Sequence, residues 1–225
     1  MTVASPILLA FDASGPFCSV ALWADGRVVS EAHAEMARGQ AEMIMPMIAD
    51  LLAEAQIDKG ALSGIAIGVG PGNFTGLRIA VATGRGLALG LGLPAIGVTA
   101  FDVLYCAAGS PPGTCLMSLP APRDQVYLHL AGPAAPRGSS WLASADAPGA
   151  VADRVIGAQA KTLARAMGRA RAEAIALPRP APVIAQIAAD RWPWPQDLTA
   201  KRPAPLYIRP PDAAPPSGPR PVHLP

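Results

Sequence analysis

Gly70-Pro71-Gly72-Asn73-Phe74-Thr75-Gly76-Leu77-Arg78 is the stretch of this sequence best suited to chemistry. It follows the apolar run Ile65-Ala66-Ile67-Gly68-Val69 and opens a helical pattern that reaches Leu91. Strand, glycine-rich turn and helix together aim the free N–H groups of a helix start at one point, where an anion can bind. The spacing fits neither common nucleotide loop. A P-loop places Lys and Ser/Thr after its last glycine, where this chain has Leu77-Arg78. A dinucleotide loop reads GxGxxG, whereas Gly70, Gly72 and Gly76 give GxGxxxG. Two readings stand. Gly70, Gly72, Asn73, Thr75 and Gly76 form an anion site, or the glycines serve positive φ and close strand–helix packing. In the second case Asn73 or Thr75 caps the helix, worth about 1 kcal/mol.

Asp12 is the leading single candidate among the acidic residues. It ends the first apolar run, Ile7–Phe11, and with Ser14 and Gly15 it forms either a phosphate-facing turn or a turn that only satisfies its own backbone. The three histidines, His33, His129 and His223, are far apart, and none is paired at i,i+4. Histidine ligands come in clusters, so a structural role is expected for His33 and no metal is expected. Cys18, Cys106 and Cys115 follow neither a disulfide nor a zinc spacing, and are expected as buried reduced thiols.

The elements that must position these residues are of α/β type. At 225 residues, 51% hydrophobic and 15% charged, the chain can bury a real core. The net charge of +2 and the scattered arginines give no support to direct nucleic-acid binding. The longest apolar stretch, Leu87–Val98, is broken by Gly90, Gly92 and Pro94 and falls short of the roughly 20 residues a membrane span needs. The start lacks a basic segment before its apolar run, so a soluble cytoplasmic chain without a leader is expected. Ile7–Phe11, Ser19–Trp23 and Arg27–Glu31 read as strands, with Asp25-Gly26 as a hairpin turn. Gln40–Gln56 and Thr75–Leu91 read as helices, Ile65–Val69 and Ala95–Val98 as strands, and Thr99–Ala107 has helical spacing. Cys115–Leu119 and Gln125–Leu130 read as paired strands, Asp153–Ala172 and Ala181–Arg191 as helical patterns. The Pro-rich end, 210–225, has no core-forming pattern and is expected to be a disordered tail.

Two helices carry more apolar surface than one buried face requires. With about 100° between residues, Ile44, Met45, Ile48, Leu51, Leu52 and Ala55 form one arc that should face the sheet. Met43 and Met47 fall outside it, beside Asp50 and Glu54. On the next helix Leu77, Ala80, Val81, Leu87, Ala88 and Leu91 form one arc. Ile79, Thr83, Gly86 and Gly90 form a second strip of mostly small residues, with Arg78 and Arg85 between the two. Methionines beside such a strip suit a helix–helix interface, or else a second lobe covers this surface.

The glycine loop resembles the GPGSFTGLR-type signature of the TsaB (YeaZ) family. Ile7-Leu8-Leu9-Ala10-Phe11-Asp12-Ala13-Ser14 resembles the family's opening ILAIDTS, Met43–Leu52 its LLPMIxxLL helix with Pro46, and Pro94–Thr99 its PLVGVSS. Arg154–Gly157 and Pro205-Leu206-Tyr207-Ile208-Arg209 resemble late motifs. Residues 7 to about 106 match nearly continuously. The family's DARMDEVY segment reads Pro120-Ala121-Pro122-Arg123-Asp124-Gln125-Val126-Tyr127 here, a departure that leaves that segment without an assigned role.

The resemblance implies two ribonuclease-H-like lobes of the actin, sugar-kinase and heat-shock-ATPase type. They are expected as 1–108 and a smaller 109–209, with 210–225 as the tail. It implies a non-catalytic subunit that binds and organises TsaD, which makes threonylcarbamoyladenosine on tRNA. The ATPase TsaE is then a third partner, and tRNA is met only through the complex. The interface is expected at Met43, Met47, Ile79, Thr83, Gly86 and Gly90, with homodimerisation as an alternative when TsaD is absent. No cofactor is required by the chain itself, with ATP or ADP expected at most at the complex interface. TsaD's HxxxH metal pair has no counterpart, since the equivalent helix start reads Arg38-Gly39-Gln40-Ala41-Glu42. In kinase-like relatives an Asp at the position of Asp12 approaches metal and phosphate, so a stand-alone ATP-dependent enzyme is the second reading and a metallopeptidase the third.

Overall fold

The apolar run at the start of the chain becomes β1 (Leu8–Asp12), buried on both faces, and a computed structural model describes residues 5–132, 140–168, 170–196 and 201–208 around it. β2 (Phe17–Ala24) pairs antiparallel with β1, and β3 (Arg27–Glu35) antiparallel with β2. Asp25 and Gly26 between them both take positive φ, 52° and 75°, the geometry a tight hairpin demands. After α1 (Gln40–Glu54), β4 (Gly64–Gly68) pairs parallel with β1. After α2 (Phe74–Leu91), β5 (Ala95–Val98) pairs parallel with β4, which gives the order β3-β2-β1-β4-β5. β4 is apolar throughout, and β1 is apolar up to Phe11, because helices cover both faces of the sheet there.

α3 (Ala100–Ala107) starts at a reciprocal cap between Thr99 and Asp102 and leads to a second sheet. Its strands are β6 (Cys115–Pro120), β7 (Gln125–Ala131), β8 (Ser140–Ser144), β9 (Arg154–Gly157) and β10 (Arg171–Glu173). α4 (Ala160–Met167) lies between β9 and β10, and α5 (Pro180–Asp190) follows β10. Their order, β8-β7-β6-β9-β10, repeats that of the first sheet strand for strand, with antiparallel pairs on one side of β6 and parallel pairs on the other. The chain is therefore α/β with two ribonuclease-H-like sheets. The second copy is reduced: residues 145–153 join β8 to β9 without a helix, where α1 stands in the first.

The two halves are sewn together by their last helices. α1 and α2 bury Ile44, Ile48, Leu51, Ala80 and Val81 on one face of the first sheet. The opposite face, with Leu8, Ala10, Ala21 and Ala66, is covered by Ala181, Ile184, Ala185 and Ala188 of α5. α3 in turn buries Phe101 and Leu104 against Cys115, Met117, Leu119 and Ile156 of the second sheet. The buried hydroxyl of Ser19 accepts from Ala181 N at 3.3 Å and so caps α5 from the strand beneath it.

The structure departs from the expected pattern in three places. Asp153–Ala172 is not one helix but β9, α4 and β10, divided where Gly157 and Gly168 adopt φ of 106° and 77°. β3 runs on to Glu35, four residues past the expected Glu31. Met45 is 45% exposed instead of facing the sheet, because Ile44, Ile48 and Leu51 already fill that face. The Pro-rich end, Arg209 and His223 lie outside the described residues. No helix among the described residues is long and apolar enough to cross a membrane.

Candidate functional site

Asp12, 3% exposed, ends β1, and its carboxylate oxygens are used by the turn that follows. Ser14 N donates to Oδ1 at 2.7 Å and Ser14 Oγ to Oδ2 at 3.1 Å, an Asx turn. Burial pushes the carboxyl above its ordinary pKa, while the hydrogen bonds from Ser14 and Ala13 pull it the other way.

The glycine loop folds directly onto this turn. Asn73 N donates to Ser14 O at 2.6 Å. A Cβ on Gly72 would strike the Ser14 carbonyl, one on Gly76 the Ala13 carbonyl, and one on Gly68 the Asp12 carboxyl. Gly70 adopts φ of 84° as the chain leaves β4. Asn73 caps α2, its Oδ1 accepting from Thr75 N at 2.9 Å and Gly76 N at 3.2 Å. Asp12, Ser14, Gly70, Gly72, Asn73, Thr75 and Gly76 are thus one contiguous unit. Two of the N–H groups that an anion would need are engaged by Asn73.

A cluster beside this loop was not foreseen. The guanidinium of Arg78 lies 3.9 Å from the centroid of the Phe74 ring, and its Nε donates to Tyr207 OH at 3.0 Å. Phe74 and Tyr207 rings are 5.2 Å apart, and Leu206 N donates to Val69 O at 2.8 Å. The late motif around Tyr207 was visible in the sequence, but nothing in it gave the place where it docks.

The outer face of α1 and α2 is open. Met43 is 42% exposed, Met47, Ile79 and Thr83 are half-buried, and Gly86 and Gly90 are exposed. A Cβ on either glycine would meet nothing within 4 Å, so the second sheet and its helices leave this strip free. Met45 is exposed on the opposite flank of α1, since about 100° per residue separates it from Met43 and Met47, and Leu89 stands 82% exposed on α2. The exposed charges divide by helix: Glu42, Asp50 and Glu54 on α1, Arg78 and Arg85 on α2.

The remaining chemical groups stay apart. His33 is 3.0 Å from Glu35 on β3, and His129 is 2.7 Å from Ser140 on the second sheet, stacked on Phe101. Among the described residues no group of three or more His, Cys, Asp or Glu could hold a metal ion. Burial raises the pKa of all three thiols, Cys18, Cys106 and Cys115.

The family profile described as "TsaD: tRNA N6-adenosine threonylcarbamoyltransferase" matches residues 32–188. The tRNA threonylcarbamoyladenosine biosynthesis protein TsaB of Escherichia coli K12 is 38% identical over 123 residues, which cover 53% of this chain and 52% of that protein. The match thus spans about half the length of that relative. An uncharacterised protein of Mycobacterium tuberculosis H37Rv is 32% identical over 194 residues, covering 80% of this chain and 79% of its own. The solved structure of YeaZ from Pseudomonas aeruginosa superposes with a TM-score of 0.70 at 29% identity, covering 90% of this chain and 99% of that one. Profile, sequence and structure agree: the chain belongs to the TsaB/YeaZ family.

Proposed function

We propose that this chain is the non-catalytic, partner-organising subunit of a tRNA threonylcarbamoyladenosine complex. It binds a TsaD-type subunit through α1 and α2, with a TsaE-type ATPase as third partner. The observation that carries the reading is the apolar and small-residue surface both helices leave uncovered, with Met43 exposed on α1 and open space around Gly86 and Gly90 on α2. Small residues allow close helix approach, and methionines adapt to the surface they meet. The face has the apolar content of an interface that the isolated chain leaves unfilled.

The fold's ATP-dependent chemistry is not repeated here. The carboxylate of Asp12 is held by Ser14, and the start of α2 is capped by Asn73 and packed on the Asp12 turn. These contacts favour a glycine loop that fixes strand, turn and helix over one that takes up an anion. ATP or ADP, where present, belongs to the complex.

The test is reconstitution with the TsaD-type and TsaE-type proteins of the same organism. Transfer of threonylcarbamoyl to tRNA should require this chain in addition to the catalytic subunit. The chain alone should produce no transfer, peptide cleavage or ATP turnover. Turnover by the pure chain that disappears in Asp12→Asn would sink the reading in favour of the enzyme.

A further inference from the structure

A pocket of about 450 Å³ lies between the C-terminal half of α2 and the segment around Arg202 and Pro203. Arg85, from the helix, and Arg202, from a segment more than a hundred residues later, both line it. Neither guanidinium has an ion pair or hydrogen bond among the described residues. Leu89, Leu93 and Pro94 supply an apolar wall, with Leu89 82% exposed at the rim. Gly86 belongs both to this pocket and to the open strip of α2, so the two surfaces are continuous.

The end of α2 restricts what can bind. Gly92 and Leu93 N–H groups cap the Leu89 and Ala88 carbonyls at 3.4 and 2.9 Å, and the helix still presents its negative end here. That field holds arginines and opposes a small bare anion. A ligand must therefore engage both guanidiniums and also bury apolar surface. A carboxylate beside an aliphatic or aromatic side chain meets both conditions, because Arg takes carboxylates with two parallel N–H bonds.

We infer that this pocket docks an acidic segment of the partner subunit, one carboxylate between Arg85 and Arg202 and a neighbouring apolar side chain against Leu89, Leu93 and Pro94. The inference rests on the partner-organising reading and extends it from the small-residue strip to a charged anchor. Charge complementarity gives the partner its polarity. α2 asks for acidic residues, and α1, with Glu42, Asp50 and Glu54 exposed, asks for basic ones.

The experiment titrates the full chain against the TsaD-type subunit at low and high salt, using wild type and the double variant Arg85→Glu, Arg202→Glu. Sedimentation of each chain alone reports self-association, and melting curves report the fold. The inference expects wild-type affinity to fall with salt, and the double variant to bind at least about tenfold more weakly with a flatter salt dependence. Equal affinity and salt dependence in both chains would overturn it while leaving the partner reading intact. Absence of wild-type binding would overturn both. A change in self-association alone would mean that a second copy, through its own acidic α1, occupies the pocket, which also overturns it. If charge reversal disturbs folding, Arg85→Gln with Arg202→Gln removes the charges without adding repulsion, and the same outcomes decide.

Discussion

Tyr207 accepts a hydrogen bond from Arg78 Nε at 3.0 Å although the two residues are 129 positions apart. The bond closes the late segment onto the start of α2, with Arg78 also resting on the Phe74 ring. The segment spans the helix, since Pro203 lies by its C-terminal half and Tyr207 by its first turn.

Because this contact is exposed, it should be worth little but be measurable. Tyr207→Phe and Arg78→Ala should each cost about 0.5–1 kcal/mol, and the double variant should cost less than their sum. Denaturant unfolding of the four chains gives the coupling. Strict additivity would mean the two residues do not support one another.

The glycines of α2 should divide sharply. Gly76→Ala drives a Cβ into the Ala13 carbonyl, whereas Gly90→Ala meets open space. The first should destabilise by about 1–3 kcal/mol through overpacking. The second should stabilise by up to about 1 kcal/mol through helix propensity. Asn73→Ala, which leaves Thr75 N and Gly76 N uncapped, should cost about 1 kcal/mol. Melting temperatures rank the three, and equal effects of the two glycine variants would contradict the packing described for the loop.

How much of this was legible beforehand depends on the length of each element. The hairpin at Asp25-Gly26, the buried strand before the loop and the two long helices declare themselves by turn chemistry and period. β9 and β10 have four and three residues, and Arg171-Ala172-Glu173 has no apolar alternation, so they merged with α4 into one apparent helix. The period of α5 shows that it has a buried face but not that this face covers the first sheet instead of the second. The glycine loop and Asp12 were each legible as a candidate, one at a helix start and one at a strand end, but that the loop folds onto the Asp12 turn was not. The Arg85–Arg202 pocket was not, since it joins two segments with no common pattern.

Asp12 should also give the stability a pH signature. Burial holds its carboxyl above the ordinary value in the folded chain, so folding takes up a proton in that window. Stability attributable to this group is greatest when the carboxyl is neutral. It falls as pH rises from the ordinary carboxylate value through the raised folded one. Asp12→Asn keeps an acceptor for Ser14 N and carries no charge, so its stability relative to wild type should improve as pH rises across that range. Urea midpoints of both chains from acid to neutral pH check the sign, and parallel profiles would contradict it.

Calorimetric titration of Gly86→Arg and Met47→Asp against the TsaD-type subunit decides whether another protein binds through the outer face of α1 and α2. Gly86 has open space around it in the isolated chain, so arginine there should leave the fold intact or add up to about 1 kcal/mol of helix stability. Met47→Asp adds a charge to a half-buried position beside exposed Asp50 and Glu54. Each variant is expected to lose about 2 kcal/mol or more of binding free energy, as at a packed hot spot, with the melting temperature of Gly86→Arg close to wild type and that of Met47→Asp lowered while the chain still folds, because Met47 also packs against the core. Unchanged affinity in both variants, with wild type binding normally, would contradict it.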